Sequence, residues 1–135
     1  MYHMVRKRLQ KTLLLTLAVL AAALVRPTHM QASELLMFER DGCVWCQRWD
    51  REIGPVYHKT AEAKLLPLRR INAENHAAPG ITLASPVRYT PTFVVVDNGR
   101  EIGRITGYVD DDAFWGLLAA LATRITPPAL SANRI

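Results

Sequence analysis

The two cysteines of the chain, Cys43 and Cys46, are separated by two residues at a point where the sequence pattern changes. The preceding segment, ELLMFER at residues 34–40, is a short apolar run typical of a buried strand, and Asp41-Gly42 interrupts it. From Cys43 onward, apolar residues recur at steps of three and four, which predicts a one-sided helix. The cysteine pair therefore lies at a predicted strand-to-helix junction, which restricts both the fold and the chemistry.

The helical pattern continues to about Leu66. Its apolar stripe consists of Cys46, Trp49, Ile53, Val56, Tyr57 and Thr60. Gly54-Pro55 falls inside the pattern, and because proline removes a backbone hydrogen bond, we expect a kink or interruption there. Residues 66–73 then predict a second strand, with Arg69-Arg70 facing water at its end. Residues 74–90 predict a loop that could hold one short helix.

The segment TPTFVVVDNGREIGRITGY, residues 90–108, predicts a β-hairpin. Its first strand covers residues 93–96 and its return strand covers residues 101–106. Asp97-Asn98-Gly99 favours a tight turn between them, because Asn and Gly tolerate the positive φ angles that such turns need.

A final amphipathic helix is predicted over residues 113–125. Acidic residues at its start favour the positive end of the helix dipole, and Pro127-Pro128 ends it. The expected cap is Asp110-Asp111-Asp112, and the expected buried residues are Phe114, Leu117, Leu118 and Leu121. The order strand, helix, strand, loop, hairpin, helix predicts an α/β fold in which helices flank a mixed sheet, with a right-handed parallel crossover at its start.

A dithiol at such a junction is expected to be reactive. The first N–H groups of a helix are unpaired and favour a thiolate over a thiol at Cys43. This sulfur can attack a substrate disulfide, and Cys46, one turn further along, can resolve the mixed disulfide. Trp45 is interpreted as a lip that contacts the substrate, although it could instead pack locally. Arg40 and Arg48 flank the motif and could increase its thiolate character.

The sequence CVWC at this junction, followed by Thr-Pro-Thr, a strand, an Asn-Gly turn, a strand, a glycine and a closing helix, resembles the thioredoxin superfamily. The resemblance covers nearly all of residues 34–125. More narrowly, the chain is similar to small periplasmic thioredoxin-like proteins found with bacterial sulfur-oxidation systems. The resemblance implies a thioredoxin-like fold, with a four-stranded mixed sheet flanked by helices and without the first strand and helix of full thioredoxins.

The resemblance also implies roles for individual residues. Cys43 corresponds to the attacking cysteine and Cys46 to the resolving one. Pro91 corresponds to the cis-proline, and the backbone of Thr90 would hydrogen-bond an incoming extended peptide. Gly107 matches the glycine that lets a partner approach. No cofactor is expected.

The chain departs from the thioredoxin pattern near the cysteines. Val44-Trp45 replaces Gly-Pro between them, and Gly42 replaces the tryptophan before them. Met37 stands where thioredoxins bury an aspartate that helps to deprotonate the resolving thiol, and Glu39 is the nearest carboxylate. Trp45 and Thr90 lean towards the disulfide isomerases, so an isomerase-like or oxidase-like variant stays open beside a reductase.

Two readings of the cysteine pair involve no disulfide exchange. One is a structural disulfide, which would stabilise weakly because the closed loop is so short. The other is a periplasmic chaperone that holds Cu(I) with the same two sulfurs, since soft thiolates suit that ion. Zinc would need two more ligands, for which the candidates are His58 and His76, and His58 lies about three helical turns beyond Cys46.

The net charge of +5 is concentrated at the N-terminus. Five of the 17 Lys and Arg residues precede residue 33, which leaves 12 to balance the 12 acidic residues in the remainder. The basic N-terminal residues are Arg6, Lys7, Arg8, Lys11 and Arg26. We therefore expect no nucleic-acid partner, because the remaining domain has no excess charge for binding phosphates.

The same N-terminus resembles a targeting signal. A basic stretch precedes TLLLTLAVLAAALV at residues 12–25, an uncharged run that suits a signal peptide and is short for a membrane span. We predict a signal peptide over residues 1–32, or alternatively an N-terminal anchor, then a thioredoxin-like domain over residues 33–126 and a tail over residues 127–135. The domain is expected to be periplasmic or secreted, where disulfides persist.

The predicted function is disulfide exchange with partner proteins, with reduction as the preferred direction. The expected partners are a protein substrate that carries a disulfide or thiol, and a membrane redox protein that resets the cysteine pair. The protein is expected to be a monomer, with membrane contact only through an uncleaved N-terminal segment.

Overall fold

The computed structural model describes residues 33–75 and 78–125 of the chain. The predicted signal segment, the tail and His76 lie outside the described residues. Within those ranges the chain forms one four-stranded sheet. Its strands are β1 (Glu34–Glu39), β2 (Leu68–Asn72), β3 (Thr92–Asp97) and β4 (Arg100–Thr106).

The sheet is mixed, with the strand order β2-β1-β3-β4. Strand β1 pairs with β2 in parallel and with β3 in antiparallel fashion, and β3 pairs with β4 as an antiparallel hairpin. At the hairpin turn Asn98 and Gly99 have positive φ angles of 50° and 76°, as the Asp-Asn-Gly sequence predicted. The predicted four-stranded mixed sheet flanked by helices is confirmed.

The predicted long helix after the cysteines is interrupted near Gly54-Pro55. It consists of α1 (Val44–Glu52), α2 (Gly54–Tyr57) and α3 (Ala61–Leu65). Pro55 lies in the first turn of α2, where its missing N–H costs no helical hydrogen bond. Helix α4 (Asp111–Ala122) closes the domain, and its N-cap Asp110 accepts a hydrogen bond from the amide of Ala113 at 2.8 Å. A single 3₁₀ turn, Ala73–Asn75, begins the long loop.

The main core lies between one face of the sheet and the helices α1 and α4. Trp49 of α1 is fully buried at its centre, with ring centroids 5.3 Å from Phe93 and 5.7 Å from Phe114. Tyr57 is also buried and donates a hydrogen bond to the carbonyl oxygen of Leu66 at 2.7 Å. The helix that carries the cysteines is thus anchored directly on the sheet.

The opposite face of the sheet is covered by the loop before β3. Buried residues of this face are Leu36, Phe38, Ile71, Val94 and Val96, and the loop residues packed on them include Ala78, Ile81, Leu83 and Val87. Because both faces are covered, β1 and β3 read as continuous apolar runs and do not alternate.

Two predicted core residues are exposed. Leu117 is 52% exposed, whereas Phe114, Leu118 and Leu121 are buried as predicted. At 100° per residue Leu117 falls at the edge of the stripe formed by those three, beyond the reach of the sheet. Val56 is 44% exposed because α2 is a separate helix, so the period of α1 does not continue through it.

The two arginines of β2 are partly exposed as expected, but they also form ion pairs. Arg69 holds both carboxylate oxygens of Glu34, at 2.9 and 2.8 Å. Arg70 donates to Glu39 at 2.6 Å and also to Asp50.

Among the described residues no helix combines the length and hydropathy that crossing a bilayer requires.

Candidate active site

Cys43 lies at the junction between β1 and α1, as the sequence predicted. A turn after Glu39 brings the amide of Cys43 to 3.3 Å from the carbonyl oxygen of Arg40. Gly42 has a φ of +72° in this turn, a conformation that a tryptophan would adopt only with strain. The backbone of the loop thus accounts for the glycine that stands before the first cysteine.

Cys43 is the N-cap residue of α1, and its Sγ accepts a hydrogen bond from the amide of Cys46 at 3.2 Å. The two cysteines form a disulfide, with their Cα atoms 5.3 Å apart. After reduction, the same unpaired helical N–H groups would stabilise a thiolate at Cys43. The arrangement therefore favours Cys43 as the nucleophile.

The two cysteines differ in depth. Cys43 keeps 8% of its surface exposed and Cys46 keeps 3%. Both belong to the main core cluster that contains Trp49 and Phe93. Because Cys46 is the deeper residue and lies one turn into the helix, it suits the resolving step, which takes place inside the protein.

Pro91 and Gly107 lie at the paired ends of β3 and β4. The Thr90–Pro91 peptide bond is cis, and Pro91 is buried whereas Thr90 is half-buried. The amide of Gly107 donates a hydrogen bond to the carbonyl oxygen of Pro91 at 2.7 Å, and Gly107 has a φ of +84°. The structure thus brings these predicted substrate-binding residues together at one end of the hairpin.

Trp45 is 53% exposed, and its neighbour Val44 is 67% exposed. Trp45 therefore lies outside the core cluster, in keeping with a side chain that contacts a partner. The guanidinium carbon of Arg48 lies 5.9 Å from the centroid of the Trp45 ring.

Arg48 also links this helix to the segment after Gly107. Its Nη1 donates to the carbonyl oxygen of Val109 at 3.0 Å, and its guanidinium carbon lies 5.7 Å from the ring centroid of Tyr108. Tyr108 and Val109 were not predicted as site residues. The available signals were the position of Tyr108 directly after Gly107 and the i,i+4 spacing of Arg48 and Glu52, which form an ion pair.

A polar cleft of about 350 Å³ borders the disulfide on another side. Cys43 and Cys46 line this cleft together with Glu39, Asp50 and Arg70. Arg70 bridges the two carboxylates. Glu39 and Asp50, two carboxylates that line the cleft with Cys46, are thus paired with an arginine.

Met37 is fully buried in the core. Because Met37 stands where thioredoxins bury an aspartate, this position carries no charge. Charged groups beside the cysteine pair lie instead in the polar cleft. Within residues 33–75 and 78–125 no group of three or more His, Cys, Asp or Glu side chains could hold a metal ion, and His58 is exposed.

Known proteins share this fold. The family model of the thioredoxin-like domain matches residues 21–122. The structure is similar to the crystal structure of the periplasmic thioredoxin SoxS from Paracoccus pantotrophus in its reduced form. The identity is 45%, the TM-score is 0.66, and the match covers 67% of this chain and 96% of that one.

Two further solved structures are similar at lower identity. The thioredoxin of Malassezia sympodialis is 21% identical, with a TM-score of 0.48 and coverage of 67% of this chain and 75% of that one. A mutant thioredoxin from Halobacterium salinarum is 25% identical, with a TM-score of 0.49 and coverage of 73% and 81%. A comparison with curated proteins gives no match.

The family match spans most of the chain, and the cysteine pair lies at the start of the helix that follows the first strand of the sheet. Proteins of this kind act on the thiols and disulfides of other proteins. The chain therefore belongs to the thioredoxin-like family, and its fold and CxxC pair make it a thiol–disulfide oxidoreductase.

Proposed function

We propose that this protein is exported and reduces disulfides in partner proteins of the periplasm. The observation that carries the proposal is the Cys43–Cys46 disulfide at the N-terminus of α1, in a chain that is 45% identical to a periplasmic thioredoxin. The exchange reaction needs a first cysteine whose position stabilises a thiolate, as at Cys43, and a buried second cysteine, as at Cys46.

The reaction begins from the dithiol. The Cys43 thiolate attacks one sulfur of the substrate disulfide, so that a mixed disulfide forms and the first substrate thiolate leaves and takes up a proton. Cys46 then loses its proton and attacks the Cys43 sulfur, which expels the second substrate thiolate. Two electrons pass to the substrate, and the Cys43–Cys46 disulfide is left. A membrane redox partner would return two electrons and two protons.

The substrate is proposed to bind as an extended peptide beside the cis-proline. The backbone of Thr90 would hydrogen-bond this peptide, and Pro91 would pack on it. Gly107 would permit the close approach, since it adds no side chain to the end of β4. Trp45 would contact the partner from the CxxC turn, where its ring is already exposed.

Export is proposed from the sequence of the N-terminus. A basic stretch is followed by 14 uncharged residues, and a cut near Ala32 would release the domain into a compartment where disulfides persist. Mass spectrometry of the protein recovered from the periplasmic fraction tests this proposal. A mature N-terminus at Ser33 is expected, and recovery of the intact chain in the cytoplasm alone would contradict export.

The reduction potential of the Cys43–Cys46 pair is the decisive measurement for the direction of electron flow. The purified protein is equilibrated with dithiothreitol or glutathione buffers, and free thiols are quantified by alkylation. A value near that of thioredoxin, about −270 mV, is expected for a reductase. A value between about −120 and −180 mV would instead indicate an oxidase or isomerase.

Two other results would contradict disulfide exchange altogether. A pair that stays oxidised across the whole buffer range would be a structural disulfide. One tightly held equivalent of Cu(I) in a reduced protein that exchanges no disulfides would indicate a copper chaperone.

A further inference from the structure

Arg48 lies between two aromatic rings that come from distant parts of the chain. Its guanidinium carbon is 5.9 Å from the ring centroid of Trp45 and 5.7 Å from that of Tyr108. Both distances fall within the range of a cation–π interaction. The same group donates from Nη1 to the carbonyl oxygen of Val109 at 3.0 Å. One side chain of α1 therefore contacts both the CxxC turn and the segment that follows β4.

Glu52 holds this arginine in place from the same helix. Its Oε1 accepts a hydrogen bond from Arg48 Nε at 2.9 Å, and its Oε2 accepts one from the Tyr108 hydroxyl at 2.7 Å. The hydrogen bond from Tyr108 has the largest effect on the Glu52 carboxyl, and together with the bond from Arg48 it lowers the pKa of that group. The bond to Glu52 in turn raises the pKa of Arg48. Both groups are thus charged at neutral pH. The orientation of the guanidinium is fixed by its hydrogen bonds to Glu52 on one side and to the carbonyl oxygen of Val109 on the other.

Two of the residues that Arg48 contacts, Trp45 and Val109, are exposed and lie where a partner protein would bind, whereas Tyr108 is buried. Trp45, between the two cysteines, is 53% exposed, and Val109, two residues after Gly107, is 71% exposed. An indole ring on a free surface samples several rotamers, and ordering it on binding costs affinity. The Arg48 guanidinium on the Trp45 ring, and its hydrogen bond to the segment at Val109, would lower that cost by ordering both groups before a partner binds.

We propose that Arg48 is a positioning residue for protein substrates, because it holds Trp45 and the segment 107–109 in the arrangement that a partner polypeptide contacts. The inference rests on the proposed disulfide exchange and adds the residue that prepares the docking surface. Arg48 itself takes no part in the exchange of sulfur bonds. A lysine cannot replace it, since an ammonium group lacks the planar fork that stacks on a ring and donates in two directions.

The test compares a protein disulfide with a small one. The full chain and its Arg48→Ala and Arg48→Lys variants are assayed with insulin, with dithiothreitol as the electron source. For the small disulfide, each protein is first reduced and freed of dithiothreitol, which would react with the reagent directly, and is then mixed with 5,5′-dithiobis(2-nitrobenzoic acid) in a single turnover. Both variants should raise the KM for insulin about fivefold to tenfold, as expected for the loss of the cation–π contact to Trp45 and of the charged hydrogen bond to Val109. The kcat for insulin and the rate with the small disulfide should stay within about twofold of the wild type.

Arg51→Ala is the matched control. Arg51 lies on the same helix, is exposed, and makes no hydrogen bond or ion pair within the part of the chain that the structure describes. Its removal should leave the KM for insulin unchanged. An equal rise in KM for both alanine variants would overturn the proposal, because net charge would then account for the effect.

A double-mutant cycle with Trp45→Ala tests whether Arg48 acts through the ring. In the Trp45→Ala background, Arg48→Ala should raise the KM for insulin by much less than it does in the wild type. A full effect in that background, an unchanged KM in the single variants, or an equal loss of rate with both substrates would each overturn the inference. A wild type that reduces neither substrate would instead overturn the proposed function.

Discussion

The amide of Gly107 donates a hydrogen bond to the carbonyl oxygen of Pro91 at 2.7 Å. This bond continues the β3–β4 ladder by one step beyond the pair Thr92 and Thr106. Gly107 has a φ of +84°, and a Cβ added there would meet no atom within 4 Å. Within the folded chain the glycine is therefore required for its backbone conformation, which positions its amide against the proline, because a side chain there would meet no other atom of the chain.

Gly107→Ala is expected to lower the free energy of unfolding by about 1 kcal/mol, because an L-residue at this φ is strained. Asparagine tolerates the left-handed region better, so Gly107→Asn should cost less. Urea denaturation measures both. Gly116→Ala is a control of opposite sign, since Gly116 lies inside α4 with open space around it, and alanine there should stabilise by up to about 1 kcal/mol. Destabilisation at both positions would contradict the conformational explanation.

The proposed order of attack and resolution predicts different outcomes for the two cysteine variants. Cys43→Ser should abolish insulin reduction, because the N-cap sulfur is the proposed nucleophile. Cys46→Ser should also prevent turnover, but it should accumulate a mixed disulfide between Cys43 and the substrate. Non-reducing gel electrophoresis followed by mass spectrometry identifies this adduct. A stable adduct in the Cys43→Ser variant and none in Cys46→Ser would reverse the assigned roles.

Neighbouring leucines of α4 should differ strongly in their contribution to stability. Leu118 is fully buried in the main core, so Leu118→Ala should cost about 2–5 kcal/mol through lost burial and the cavity left behind. Leu117 is 52% exposed, and Leu117→Ala should change stability by no more than about 0.5 kcal/mol. Both variants remove the same atoms from the same helix, so similar costs would show that Leu117 is buried in solution.

The position of the cysteine pair, the apolar strands and the hairpin turn could be predicted from local patterns, whereas the four-stranded sheet is implied by the resemblance to thioredoxins. Apolar runs of strand length mark β1 and β3 because both faces of those strands are buried, and Asn98-Gly99 marks the turn through its positive φ angles. The N-cap position of Cys43 on α1 follows from the break at Asp41-Gly42. Each of these features depends on residues close in sequence, which is why periodicity and turn chemistry are sufficient to find them.

The arginine network around the disulfide could not be predicted in the same way. Arg48 reaches a carbonyl oxygen 61 residues away, and Arg70 of β2 reaches Asp50 of α1. Long side chains at partly exposed positions leave no periodic signal, and their direction depends on packing between elements. The exposure of Leu117 has a related cause, because the width of the buried stripe of α4 depends on how closely the sheet approaches it.

Glu101 is a nearly buried carboxylate on which the loop before β3 depends. Its side chain is 4% exposed, and it accepts two hydrogen bonds from Arg104, both 2.6 Å long, and one from the amide of Ala84 at 2.8 Å. The bonds from Arg104, with that from Ala84, lower the pKa of the Glu101 carboxyl. Arg104 donates in turn to the carbonyl oxygen of Ser85 at 2.8 Å, so the ion pair joins β4 to the loop.

A carboxyl group whose pKa is lower in the folded state stabilises the protein above its unfolded pKa, and this contribution is lost as the pH falls through the folded value. Glu101→Gln should therefore lower the free energy of unfolding at pH 7 by about 1–3 kcal/mol, the usual cost of losing hydrogen bonds to a charged group. Below pH 4.5, the ordinary pKa of a glutamate, the difference from the wild type should shrink. Urea denaturation at pH 7, 5 and 3 measures this trend, with the exposed Glu74→Gln as control. A difference that is constant across this range would mean that the charge of Glu101 contributes nothing and that only its shape matters.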